Sequence, residues 1–323
     1  MRAVITTEAG GPEVLALTDV PTPEPGPGQL LIAVTAAGVN RADILQRQGH
    51  YPPPPGESDL IGLEVSGHVA ALGADVQGWA VGDACVALLA GGGYAEYVAV
   101  NAGQVTRPPE GIDLVSAAGI MEVAATVVSN LDAVRFRDGE SILIHGGTGG
   151  IGMFAIQYAK AHGATVLTTA GSAEKLDLCL TLGADVALNY HDDWVAGVKD
   201  ATEGRGVDVI LDNMGAKYLT PNVRSLARLG RLVVIGLQGG TKGELNLNAL
   251  LGKSATVTAT SLRFRPAQEK AAIVARVATD VWPLIASGQI TIAHQTRFPI
   301  EEIRAAHEQL GGGSNVGKVV VTF

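Results

Sequence analysis

Apolar residues follow two different rhythms along this chain. Through the first third they come in short runs of strand length, at residues 3–6, 30–36, 65–72 and 83–89. Between them lie P-T-P-E-P-G-P-G at 21–28, Y-P-P-P-P-G at 51–56 and three glycines at 91–93. Proline fixes φ and has no N–H for a ladder, so these stretches are turns or rigid extended loops. Short strands punctuated this closely predict a compact barrel-like unit.

Near residue 121 the rhythm changes. A helical pattern at 115–131 leads to the apolar run S-I-L-I-H at 141–145. Further runs of strand length at 165–169, 186–189, 207–212 and 231–236 alternate with helical stretches near 153–162, 173–182, 192–202 and 217–228. Gly163, Gly183 and Gly230 stand where C-terminal caps are expected. A run at 255–260 makes a sixth strand. Continuous apolar strands joined by crossover helices predict a parallel sheet covered on both faces. Past Leu262 a helix at 267–287, a strand near 291–298, a helix at 300–310 and a last strand at 318–323 break the alternation. This tail is expected to rejoin the first unit. The fold class is therefore α/β: a six-stranded doubly wound parallel (Rossmann) sheet inserted in a β-rich unit. The β-rich unit takes 1–121 and 263–323, and the parallel-sheet domain takes 122–262.

The run at 141–152, S-I-L-I-H-G-G-T-G-G-I-G, joins an apolar strand to a helix through glycines. Gly147, Gly149 and Gly152 form G-x-G-x-x-G, with Thr148, Gly150 and Ile151 between them. Tight turning, close approach of backbone to a pyrophosphate and close helix–strand packing each require a residue without a Cβ. The following helix aims free N–H groups and a positive dipole end at the turn. Its place between a strand and a helix gives the motif its meaning.

Which dinucleotide binds is decided at the end of the second strand, where NAD sites hold an acid for the ribose 2′-hydroxyl. Here the chain reads T-T-A-G-S-A-E-K, with Ser172 in that place and Lys175 on the first helical turn. A hydroxyl and a point charge suit a 2′-phosphate, which points to NADPH. Glu174 dissents, but a carboxylate in a first helical turn is stabilised by the dipole, and Ser172 is a natural N-cap. Tyr190, just past the third strand, flanks the phosphate or adenine, or simply packs.

Composition narrows the function classes. Hydrophobic residues make 47% of the 323 and charged residues 17%, enough for a large core. The net charge is −9 with no basic stripe, which argues against nucleic acid. The two cysteines, Cys85 and Cys179, lie far apart, which implies a reducing, cytoplasmic compartment. The N-terminus lacks the apolar run of a signal peptide, and no charge-free stretch of about 18 apolar residues predicts a membrane span. Seven scattered histidines, His50 included, form no i,i+4 pair. His145 is expected to be a structural donor to backbone, and the glycines at 311–313 a flexible turn.

The segment G-E-x-x-L-x-H-G-G-T-G-G-I-G-x(4)-Q-x-x-K, from Gly139 to Lys160, resembles the signature of the zeta-crystallin-like NADPH quinone oxidoreductases. These are zinc-free members of the medium-chain dehydrogenase/reductase superfamily. The likeness extends to A-G-V-N-R-A-D-I-L-Q-R-Q-G-H-Y-P-P-P-P-G at 37–56, I-G-L-E-V-S-G at 61–67, G-G-G-Y-A-E-Y-V at 91–98 and N-V-G-K-V-V at 315–320. Q-R-Q-G-x-Y, L-N-Y and T-S-L-R are most similar to the stress-inducible branch. Members often carry Ser or Ala at the place of Thr148, or Ser at that of Gly149; the backbone cradle survives both differences.

The resemblance implies a GroES-like catalytic domain split around the Rossmann domain, and a homodimer formed through the edge strand at 255–260. Zinc-using relatives have a cysteine where this chain has Asn40, and Gly-His-Glu where it has Gly62, Leu63 and Glu64. A catalytic zinc needs three ligands, so no metal is expected. Hydride must then pass to an acceptor that takes it readily, a quinone or an α,β-unsaturated carbonyl. Tyr51, held by the polyproline run, is the first candidate donor to the oxyanion, or else a packed loop tyrosine. Asn40 is the second, lying near the nicotinamide or substrate, or else it bonds its own backbone in a turn. The resemblance makes Leu262 and Arg263 a nicotinamide-side loop, though a surface arginine is the alternative, and makes Lys318 a late cofactor contact. Two other functions fit the same residues: a 2-enoyl thioester reductase, and an NADPH-binding sensor with little turnover.

Overall fold

The computed structural model describes residues 1–292 and 294–323. The chain forms two compact units, one of residues 1–125, 262–288 and 292–323, the other of 126–261 and 289–291. The expected boundaries were 121/122 and 262/263.

In the second unit a six-stranded parallel sheet runs in the order Val186–Asn189, Thr165–Ala170, Ser141–His145, Val207–Asp212, Leu226–Val234, Thr256–Ala259. The strand order reverses beside Ser141–His145, which puts a ligand crevice at the carboxyl end of that strand. The strand is buried at all five positions, as sheet covered on both faces requires. Gly163 and Gly183 take positive φ, 68° and 105°, just past the helices Gly150–Ala161 and Ala173–Thr181, and act as caps.

Gly230 does not. It lies inside the strand Leu226–Val234, after Leu229 at φ 63°, where the pairing slips between Val207 and Val209. The helical pattern near 217–228 is a short 3-10 turn plus the helix Leu219–Ser225, and the strand starts five residues earlier than its most apolar part.

His145 bonds side chains rather than backbone. The Thr169 hydroxyl accepts from the Gly146 N–H at 3.3 Å and lies 3.1 Å from His145 Nδ1. Nε2 lies 2.7 Å from Asn222 Oδ1, an acceptor, so Nε2 carries the proton and Nδ1 accepts. Trp194 and Tyr218 pack edge-on against the ring, and burial lowers its pKa to about 4.

In the first unit the long strand Gln29–Val39 is the spine. Glu64–Leu72, Tyr97–Asn101 and Lys318–Thr322 pair with it antiparallel. Ala84–Leu88 and Val105–Thr106 extend one side, and Gln295–Pro299 adds to Lys318–Thr322 in parallel on the other. The strand expected near 291–298 is thus Gln295–Pro299; residue 293 of that expectation lies outside the described residues. Leu15–Asp19, Tyr97–Asn101 and the helix Arg41–Arg47 carry weak patterns and went unpredicted.

The single helix expected at 115–131 is two, Leu114–Ala117 and Met121–Ala133. By length and hydropathy the run Leu114–Ala133 could cross a membrane, contrary to the expectation from composition. In the fold 78% of its most apolar window is buried, as for a core helix.

Candidate functional site

Chemistry-bearing residues gather at two places, one in each unit. In the second unit, the turn after Ser141–His145 is made by Gly146, at φ 74°, one residue before the G-x-G-x-x-G motif. A Cβ on Gly147 would fall 2.3 Å from Thr168 Oγ1, and one on Gly152 would fall 2.2 Å from the Gly146 carbonyl. Both glycines are there for packing. Gly149 differs: its Cβ would meet only the Gly146 carbonyl, at 3.6 Å. The helix Gly150–Ala161 starts right behind it, earlier than the pattern at 153 indicated, with Gly149 as N-cap. Its first-turn N–H groups, at Gly150, Ile151 and Gly152, have no intrahelical acceptors, and Thr148 is buried in the turn. Close approach of a ligand is therefore a matter for Gly149 and these amides.

At the end of the second strand, Ser172 caps the helix Ala173–Thr181, its hydroxyl accepting from the Lys175 N–H at 3.4 Å. Glu174 lies in the first turn, and hydrogen bonds from its own backbone and from Ser172 lower its pKa. The Tyr190 N–H donates to the Ala170 carbonyl at 3.1 Å, which holds the tyrosine against Gly171: a Cβ there would be 2.2 Å from its hydroxyl oxygen. Gly171, Ser172, Lys175 and Tyr190 thus share one end of the sheet.

Pattern reasoning missed Asn213. It follows Val207–Asp212, and its Nδ2 lies 2.9 Å from where a Gly146 Cβ would be. Its Oδ1 is buried with no hydrogen-bond partner among the described residues. The available signal was its place at the carboxyl end of the strand beside the switch point.

In the first unit, a buried ion pair joins Lys318 to Glu64 at 2.6 Å. Asn40 completes it, its Nδ2 donating to Glu64 Oε1 at 3.0 Å and its Oδ1 accepting from Lys318 Nζ. The other Glu64 oxygen accepts from the Glu122 N–H at 2.9 Å. The Asn40 side chain is therefore engaged across the unit as well as with its own turn, where it caps the helix Arg41–Arg47 and its Nδ2 also donates to the Gly38 carbonyl at 3.5 Å. Lys318, a cofactor contact by resemblance, has its ammonium committed to Glu64 and Asn40.

Beside this pair lies Asp43. Its Oδ2 accepts from the Asn40 N–H at 2.7 Å and from the Tyr94 hydroxyl at 2.9 Å, and its Oδ1 has no partner among the described residues. Burial raises its pKa to about 6. The Tyr94 ring meets His307 edge-on, and His307 Nδ1 faces the Arg47 guanidinium at 3.3 Å. Burial, helped by that cation, lowers the His307 pKa to about 3.

Arg263 is buried, not a surface arginine. It donates to the Ala90 carbonyl at 2.8 Å, to the Tyr51 carbonyl at 2.9 Å and to Gln46 Oε1 at 2.7 Å. Its guanidinium also lies over the Tyr51 ring, which Phe264 meets edge-on. The polyproline loop is thus fixed at its tyrosine by one arginine. Leu262, its neighbour, borders a small cavity. Among the described residues no group of three His, Cys, Asp or Glu side chains is placed to hold a metal ion.

A parallel six-stranded nucleotide sheet and a separate β-rich unit with a buried polar cluster define a two-domain dehydrogenase or reductase. Residues 26–110 match the alcohol dehydrogenase GroES-like domain, and residues 150–278 match the zinc-binding dehydrogenase family. Quinone oxidoreductase of Rattus norvegicus is 34% identical, over 99% of this chain and 97% of its own. A mycobacterial protein solved with NADPH is 34% identical with a TM-score of 0.91, and Escherichia coli quinone oxidoreductase solved with NADPH is 28% identical with a TM-score of 0.89. Each covers the whole of both chains. The chain belongs to the quinone oxidoreductases of the medium-chain dehydrogenase/reductase superfamily.

Proposed function

We propose that this protein is an NADPH-dependent, zinc-independent reductase of quinones or α,β-unsaturated carbonyls. The supporting observation is the set of features at the carboxyl end of the parallel sheet. The open face at Gly149, the first-turn amides of Gly150–Ala161 and the unpartnered Asn213 Oδ1 all fit a dinucleotide. Gly147, Thr148, Gly149, Gly150, Ile151 and Gly152 would hold its pyrophosphate. Ser172, Lys175 and Tyr190 would hold the 2′-phosphate. Bound NADPH supplies hydride chemistry.

The chain's own part is to place the acceptor and to stabilise charge on its oxygen. Tyr51, held by Arg263, is the donor in this proposal, and Asn40 carries the influence of the Glu64–Lys318 pair to the surface where the acceptor sits. Leu262 and Arg263 belong to the loop that borders it. Lys318 acts through Asn40 rather than by touching the cofactor. The buried free thiols Cys85 and Cys179 suit a reducing cytoplasm.

The same proposal includes a homodimer through the exposed edge Thr256–Ala259. The neighbouring helix Leu247–Lys253 carries Leu247 and Leu251, 68% and 77% exposed, which an edge-to-edge dimer would cover. Sedimentation at micromolar concentration is expected to give a dimer; a monomer throughout rejects it.

The test of function is NADPH oxidation with 1,4-benzoquinone, a conjugated enone and crotonyl thioester, with zinc assayed on the same sample. Quinone or enone turnover without stoichiometric zinc is expected. In Tyr51→Phe, quinone reduction should slow but survive. Turnover of the thioester alone, abolished by Tyr51→Phe, assigns an enoyl reductase instead. Tight NADPH binding with no acceptor reduced assigns a sensor.

A further inference from the structure

The helix Ala267–Arg276 places Lys270 where a lysine is rarely found. The residue is 2% exposed, and no hydrogen bond or ion pair joins its ammonium to another described residue, although the nitrogen itself is not fully shut off from solvent. A lysine stem packs well in such a place, but an ammonium held there without a partner is costly relative to a hydrophobic residue of similar size. Glu57, its main electrostatic partner of opposite sign, acts from the surface without contact. Burial lowers the lysine's pKa.

Lys270 borders a cavity of about 10 Å³, room for one water-sized group. Leu63, Leu88, Leu89 and Leu262 make most of its wall, with Arg263 and Glu122 beside the lysine. The cavity abuts both halves of the site in this unit. Leu63 precedes Glu64, and the Glu122 N–H bonds that carboxylate. Arg263 is the residue that fixes Tyr51. A hole walled mostly by leucine, with a lysine and an arginine against one glutamate in its lining, carries a net positive charge that suits a single small group of opposite sign.

We propose that this cavity is a subsite for an anionic oxygen, which the Lys270 ammonium takes as its missing partner. The oxygen belongs to a small acceptor. It is either a carboxylate already on the molecule or the oxyanion formed when a conjugated carbonyl gains hydride. The cavity admits one oxygen, while the rest of the ligand stays outside it. Arg263 adds positive charge without giving up its three bonds. The inference deepens the reductase proposal, on which its second arm rests.

The first arm compares crotonate with crotonamide, which differ in charge and hardly in shape, by calorimetric titration of the wild type, Lys270→Met and Lys270→Arg. The wild type is expected to bind crotonate about tenfold or more tightly than Lys270→Met does, a gap typical of a charged hydrogen bond. Lys270→Arg should restore part of the affinity, and crotonamide should not distinguish the three proteins. The second arm measures kcat and KM for a neutral enone. A fall in kcat in Lys270→Met, rescued by arginine, assigns the developing oxyanion as the occupant.

Equal crotonate affinity in all three proteins together with an unchanged kcat overturns the proposal. Removing an uncompensated charge should also leave the melting temperature of Lys270→Met equal or higher; a large fall would make the lysine structural and likewise overturn it. If no acceptor is reduced at all, the reductase proposal fails while the titration still decides the subsite.

Discussion

The glycine turn of the second unit and the buried cluster of the first are built in opposite ways. The turn works by what it leaves out. Twelve consecutive residues, 141–152, build it, and its specificity lies in missing Cβ atoms and free backbone amides. The cluster works by what it puts in. Asn40, Glu64 and Lys318 come from positions 24 and 278 residues apart, and each loses its hydration to meet the others. A local device of backbone tolerates much change outside its glycines. A non-local device of buried charge fails as a whole when one partner is lost.

The largest effect expected from this contrast is on the ion pair. Glu64→Leu strands the Lys318 ammonium and the Asn40 amide, at a cost of about 3–5 kcal/mol in unfolding free energy. The double change Glu64→Leu with Lys318→Met removes both charges and should recover most of that loss, as hydrophobic replacements of buried pairs do. Urea denaturation of the two single variants and the double variant gives the coupling directly. Additive losses would mean that the pair is not a unit, and the contrast with the glycine turn would collapse.

Asp43 sharpens the same point through pH. Its folded pKa of about 6 lies above the ordinary 3.8, because burial disfavours the ionised form. A raised pKa means that the folded state holds the proton more tightly, so its stabilising contribution is complete below about pH 4 and is lost as pH rises through about 6. His145 and His307 act in the other direction. Their pKa values are lowered to about 4 and about 3, so their contribution is present above about 6.5 and is lost on acidification. The wild-type profile mixes these opposing slopes. Asp43→Asn keeps an acceptor for Asn40 and Tyr94 and removes the charge. Relative to wild type it should gain roughly 3 kcal/mol between pH 4 and pH 7. A difference that stays flat with pH would show that the carboxylate is not desolvated.

In the turn, the glycines should separate by packing alone. Gly152→Ala drives a methyl to 2.2 Å from the Gly146 carbonyl, with an expected loss of about 1–3 kcal/mol in stability. Gly149→Ala meets nothing closer than 3.6 Å and should leave stability within about 0.5 kcal/mol. It should still weaken the dinucleotide, because the new methyl stands where the proposed ligand would approach. Thermal melts with and without NADPH check both statements. Equal destabilisation by the two changes would remove the assignment of Gly149 to ligand approach.

How much could be read from sequence follows the same division. The alternating strands and the glycine turn were legible because each is written in consecutive residues. Gly230 misled because a glycine after an apolar helical pattern reads as a cap, while its actual place is a slipped register between two strands. Asn40, Tyr51 and Arg263 could be picked out only by family resemblance. Their bonds run to positions that no periodicity connects: Glu64, Lys318, Gln46 and Ala90. Asp43, His307 and Lys270 gave no signal at all. Each is a single ionisable residue on a short helix, and only tertiary packing takes it out of water.

The smallest effect expected lies between the two extremes, at the end of the second strand. Ser172, Lys175 and Tyr190 are side chains, but a backbone element holds them: the helix Ala173–Thr181, which Ser172 itself caps. Lys175 sits in the first turn, where the dipole opposes a cation, and beside Ser172, where the proposed 2′-phosphate would lie. Lys175→Ala should therefore weaken NADPH by about 1.5 kcal/mol, roughly tenfold, and leave NADH nearly unchanged. Removing an unfavourable charge from the first turn should at the same time raise helix stability slightly. Fluorescence titration with both coenzymes measures the first effect and a thermal melt the second. Equal loss for NADPH and NADH would place the lysine away from the 2′-phosphate, and that end of the sheet would then be ordinary helix capping.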